Sequence, residues 1–156
     1  MSFVITGLAV EEFRPLFGLS DADLAARGII RQTATAPVGF PCRITLQDAK
    51  AGETLLLLNY EHQPADSPYR SRHAIFVNES ATETCRAVDE IPGCLAVRPY
   101  IALRAYDAAG MMTAAEISSG ADLPPVIDRM LADPQVAYLH AHNAGRGCFA
   151  ARIDRA

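Results

Sequence analysis

An α+β fold, with a largely antiparallel sheet and two or three short helices, is what this sequence predicts from three observations. Residues 55–58 are four consecutive leucines in a run too short for a helix, which reads as a strand buried on both faces. Four later stretches, residues 95–106, 111–117, 135–142 and 148–154, have strand character and are joined by turn or capping sequences. Helical patterning is confined to short segments near residues 10–17, 20–27 and 124–133. With 156 residues, half of them hydrophobic, the chain suits a single globular domain spanning residues 1–156.

Residues 3–8 alternate as a first strand, and an amphipathic helix over 10–17 would bury Val10, Phe13 and Phe17, with Pro15 limiting its length. Ser20 caps a second helix that Gly28 stops. Residues 29–35 read as a strand, and Pro37, Gly39 and Pro41 hold a loop that delivers Cys42 and Arg43. Residues 45–49 fit a strand end or one helical turn equally. The leucine strand ends near Tyr60, where Asn59, Tyr60, Glu61, His62 and Gln63 arrive together. Pro64 and Pro68 then favour extended conformations before them, making 59–70 a stiffened polar loop. Residues 74–77 form a short strand, and residues 78–92 are a weakly patterned surface excursion.

In the strand over 95–106, Ile101, Leu103 and Ala105 share one face, opposite Ala102, Arg104 and Tyr106. A turn at 107–110 returns the chain as a hairpin through 111–117. Asp122 caps a helix carrying Val126, Ile127, Met130 and Leu131, which ends before Pro134. In the last hairpin the loop spans residues 143–147. If His142 pairs with Cys148, then Tyr138, His140, His142, Cys148 and Arg152 share one face, while Leu139, Ala141, Phe149, Ala151 and Ile153 share the other. A slip of one residue would dissolve that grouping.

The net charge of −4 argues against a nucleic-acid partner and against an anionic membrane surface, since both need a clustered basic face. There is no basic leader followed by a long apolar stretch, so a cytoplasmic location is expected. The four cysteines, Cys42, Cys85, Cys94 and Cys148, form no CxxC pair and are read as reduced thiols, which excludes a zinc ribbon. Neither GxGxxG nor a P-loop pattern is present, which argues against a nucleotide cofactor.

Five groups of residues carry a resemblance. They are Pro41-Cys42-Arg43, the run from Leu56 to Pro64, Ser67-Pro68-Tyr69-Arg70, Arg104-Ala105-Tyr106-Asp107, and Tyr138-Leu139-His140 with His142-Asn143 and Gly147-Cys148-Phe149. Together they resemble a bacterial group of small proteins, domain-of-unknown-function family 1203. The likeness spans nearly the whole chain and implies no activity. Where the resemblance leads one to expect Gly-Pro before Ile75, this chain has His73-Ala74, which makes His73 a poor candidate for a shared role.

Four readings of the site follow from the residues. In the first, Arg43 and Arg70 face an anionic small molecule, and Asn59, Tyr60, Gln63, Tyr69 and Asn143 orient it. The bland counterpart is that Arg43 and Arg70 pair with Glu61 or Asp66, that Tyr60 and Tyr69 are core edges with satisfied hydroxyls, and that Asn59 only terminates the strand. In the second, His140 and His142, two apart on a strand, reach one divalent ion, Zn or Fe. His62 or Cys148 supplies a third ligand, and an open position serves metal-assisted hydrolysis. In the third, Cys148 is a nucleophile served by His142 or His140. In the fourth, exposed sheet edges support a homodimer with a structural role. None of these patterns fixes a reaction class.

Overall fold

The computed structural model describes every residue from Met1 to Ala156. Nine strands run antiparallel in two sheets. They are β1 (Phe3–Thr6), β2 (Ile30–Thr33), β3 (Thr54–Gln63), β4 (Ser71–Asn78), β5 (Arg86–Val88), β6 (Ile101–Tyr106), β7 (Met112–Ser118), β8 (Tyr138–Asn143) and β9 (Phe149–Arg155). The larger sheet has the order β5-β1-β9-β8-β6-β7, the smaller β2-β3-β4. Four short helices complete the α+β fold: α1 (Val10–Phe13), α2 (Asp21–Ala25), α3 (Gly93–Ala96) and α4 (Leu123–Leu131).

Each sheet owns a core. Leu103, Ala105, Leu139, Ala141, Ala151 and Ile153 cover one face of the larger sheet, where α4 seats Leu123, Ile127, Met130 and Leu131 against them. Asp122 stands at the start of α4 but its side chain caps nothing; the side-chain cap lies three residues earlier, where the Ser119 hydroxyl accepts from the Asp122 amide at 3.2 Å, because a short 3-10 turn precedes the helix. In the smaller sheet, Leu56, Leu58, Ile75 and Val77 pack against Val10, Phe13 and Leu24 of α1 and α2. Ser20 caps α2 by accepting from the Asp23 amide at 3.1 Å.

Three elements differ from expectation. The leucine strand does not end at Tyr60; β3 continues through Gln63, because β4 extends back to Ser71 and pairs with it, leaving only residues 64–70 as loop. Residues 86–88 are an edge strand beside β1 rather than surface excursion, recruited by pairing that local patterning does not reveal. The single strand expected over 95–106 is α3 followed by β6, since Pro99 removes a backbone donor where a continuous strand would need one.

Candidate functional site

The face of the larger sheet opposite α4 carries polar side chains in matched rows. Ala102 pairs with His142, Arg104 with His140 and Tyr106 with Tyr138 across β6 and β8, while Arg152 of β9 lies opposite His140. Same-face alternation therefore sets Arg104, His140 and Arg152 side by side across three strands.

Two β-bulges complete the arrangement. On β9, Ala141 pairs with Ala151 but His142 with Phe149, so Ala150 is the extra residue. This corrects the hairpin register expected from sequence: Phe149, not Cys148, lies opposite His142 and joins the histidine face. On β3 the pairing shifts between Tyr60 and Gln63, and the bulge turns both His62 and Gln63 into the interior. His62 then stacks on Phe149, with ring centroids 5.3 Å apart, and meets His142 edge-on at 5.1 Å. His140 completes a triangle, 6.1 Å from His62 and 6.2 Å from His142.

All three imidazoles are buried, at 8% exposure for His62, 3% for His140 and 0% for His142. One ligand atom from each lies within 4.8 Å of the others, so the three could hold a metal ion. Buried ring nitrogens normally find partners, yet Nδ1 of His62, Nδ1 of His140 and Nε2 of His142 have none within the protein. For His142 the tautomer follows from its neighbours: Nδ1 lies 2.9 Å from the Gly147 carbonyl, which only accepts, so Nδ1 carries the proton and Nε2 presents a bare lone pair. Burial, reinforced by the positive charge of Arg104, keeps the rings neutral. It pushes His62 down to about 4 and His140 and His142 down to about 3.

The walls are aromatic and basic. Tyr106 lies 5.1 Å from the His140 ring and stacks with Tyr138 at 5.4 Å, and the Gln63 amide donates to the Tyr138 hydroxyl at 2.9 Å. The Arg152 guanidinium sits 4.0 Å above the Tyr138 ring. Arg104 is half-buried and forms no ion pair.

The ligand set read from sequence does not gather at one place. Asn59 accepts from Arg72 at 2.7 Å and Arg70 pairs with Glu61 at 3.1 Å, both exposed, whereas Tyr60, on the face that packs against α1, donates to Glu12 at 3.3 Å. Tyr69 lies edge-on to Tyr106, 6.4 Å away, at the entrance to the histidine face. Arg43, Asn143 and Cys148 do converge, but elsewhere: the Cys148 sulfur accepts from Arg43 Nη2 at 3.2 Å and from Asn143 Nδ2 at 3.3 Å. Cys148 thus belongs to the hairpin tip and contributes nothing to the histidine cluster. All four cysteines are free thiols. From sequence, Arg104 and Arg152 have no role in the site, although the expected hairpin already set Arg152 on the face of His140 and His142; the alternation of β6 placed Arg104 beside Ala102 and Tyr106, but nothing local tied it to the histidines.

These features define an α+β protein of two antiparallel sheets with a buried three-histidine cluster between them. The chain belongs to the family described as Protein of unknown function (DUF1203), whose model matches residues 39–155. The matched span contains His62, His140 and His142 and leaves out β1, α1, α2 and β2. No curated protein and no solved structure matches the chain significantly. No helix is long and apolar enough to cross a membrane.

Proposed function

We propose that this protein is a metal-dependent enzyme of hydrolytic type, with a divalent ion held by His62, His140 and His142. Two observations carry this reading: three buried imidazoles from two sheets bring a ligand nitrogen each to within 4.8 Å of the others, and each of the three rings has a buried nitrogen without a partner. Leaving a buried polar atom unsatisfied costs roughly 1–3 kcal/mol, so three together would take a large part of a stability of about 5–15 kcal/mol. A water molecule has two hydrogens to donate. A divalent ion accepts three lone pairs at once, and the neutral state of the rings suits them for it.

Three neutral imidazoles with an open fourth position match the ligand pattern of catalytic zinc, with Zn–N distances of about 2.0–2.1 Å. The nitrogens need to close by roughly 1 Å to reach one ion at that distance. Iron sites of the two-histidine type add a carboxylate, and none belongs to this cluster. Zinc is therefore the preferred ion over iron. Bound water at the open position would be acidified, and Arg104, which has no acidic partner, is placed to hold an anionic group of the substrate.

The test is zinc titration of chelator-treated protein by calorimetry, followed by hydrolysis of a nitrophenyl ester. One tight zinc site and an ester hydrolysis that needs it, both lost in His142→Ala, are expected. Full folding with no zinc uptake by the wild type would refute the proposal.

A further inference from the structure

A second site lies on the far side of the hairpin tip, where a cavity of about 450 Å³ opens above Arg43 and Cys148. Pockets of this size commonly take small molecules. Its deep end is made by Arg43, 3% exposed, and Cys148, 8% exposed, whereas Tyr100 and Arg146 at its mouth are open to solvent. Pro41, Phe76 and Pro99 supply apolar walls, and no Asp or Glu lines the cavity.

Arg43 is the reason to regard this cavity as built for a ligand. Its guanidinium donates from Nε to the Phe149 carbonyl at 2.7 Å, from Nη1 to the Pro41 carbonyl at 2.7 Å, and from Nη2 to the Cys148 sulfur. A guanidinium has five N–H groups, so one on each terminal nitrogen is left over. Those bonds hold the fork rigidly but supply no countercharge, and no carboxylate lies within ion-pair distance. Burial pushes the guanidinium below its ordinary value, against the partly opposing pull of the Cys148 sulfur. Breaking or omitting the partner of a buried charge is among the costlier arrangements in a protein. Of the two other arginines that line the cavity, Arg98 is already neutralised by Asp48 at 2.9 Å and Arg146 stands exposed at the mouth, so neither is a buried, uncompensated charge.

We propose that this cavity binds a small monocarboxylate with an apolar body, its carboxylate paired to the Arg43 fork and to Asn143, and its body against Phe76, Pro41 and Pro99. The planar fork matches a carboxylate in two parallel bonds, and the apolar walls disfavour a bare inorganic anion. This site is independent of the histidine cluster, and its test is run with and without chelator, with the same result expected.

The probes are benzoate and octanoate, compared with benzamide and with inorganic phosphate, on the full chain. Two readouts serve: the melting temperature, and the rate at which iodoacetamide labels Cys148, followed by mass spectrometry of its peptide. At least one of the two carboxylates is expected to bind with a Kd of about 1 mM or tighter, to raise the melting temperature saturably and to slow Cys148 labelling. Benzamide and phosphate should do neither. Arg43→Lys, which keeps the charge but removes the fork, is expected to weaken binding at least about tenfold. If that variant fails to fold, the acid-against-amide comparison on the wild type still decides. Silence from both carboxylates up to about 10 mM overturns the proposal, as does benzamide or phosphate protecting Cys148 equally well.

Discussion

His142 is the residue on which the site turns. Its Nδ1 proton is committed to the Gly147 carbonyl, so its other nitrogen is fixed as a lone pair before any ion arrives. The buried, neutral state of the three rings has a measurable consequence for apoprotein. In the unfolded chain each histidine takes up a proton near pH 6.5, whereas in the fold the rings stay neutral down to about 4 for His62 and about 3 for His140 and His142. The unfolded state then binds more protons below pH 6.5, so stability is complete above that value and falls as pH drops toward 4. Urea unfolding in chelator at pH 7.5, 6 and 5 should show this decline, and His140→Phe should flatten it. The low carboxylates, Glu61, Glu79 and Asp89, lose their contribution only at lower pH and leave this window to the histidines. That His140 and His142 share a side was legible from strand period alone. The burial of Arg43 was not, because nothing in a Pro-Cys-Arg loop tells whether its guanidinium points to water or into the protein.

At the scale of elements, the site exists because two strands break register. The β3 bulge turns His62 and Gln63 inward, and the β9 bulge exchanges Cys148 for Phe149 on the histidine face. Bulges leave no reliable mark in sequence, since one extra residue is invisible until both partners are known. For that reason the alternation of β6 and β8 and the hairpin of β8 with β9 were readable, and the register of that hairpin was not. The same reasoning explains β5, whose three residues form a strand only because β1 offers an edge. Close approach of backbones elsewhere gives a sharper test. A Cβ on Gly7, at the end of β1, would stand 2.1 Å from the Ile44 carbonyl oxygen, while one on Gly145 meets nothing within 4 Å. Gly7→Ala should therefore cost at least about 2 kcal/mol, and Gly145→Ala should stay within about 0.5 kcal/mol, by denaturant melts on the two variants.

At the scale of the whole molecule, two sheets with separate cores meet along the polar face of the larger one. His62 comes from the smaller sheet, and His140 and His142 come from the larger, so a bound ion would tie the sheets together. Binding to the folded state alone stabilises by about 2.7 kcal/mol at a hundredfold excess over Kd. Zinc should thus raise the melting temperature of the wild type by several degrees and leave His62→Ala unmoved, a difference readable by scanning calorimetry. The α+β class and most strands were legible because they rest on alternation and on turn residues. The division into two sheets was not, since long-range pairing decides it.

The most direct test of the three-histidine centre is the metal content of untagged protein, purified without chelators, beside folded His62→Ala and His142→Ala. The account predicts about one zinc per chain in the wild type and its loss in both variants. A folded wild type that carries no metal and takes up none, or variants that keep it undiminished, would contradict it.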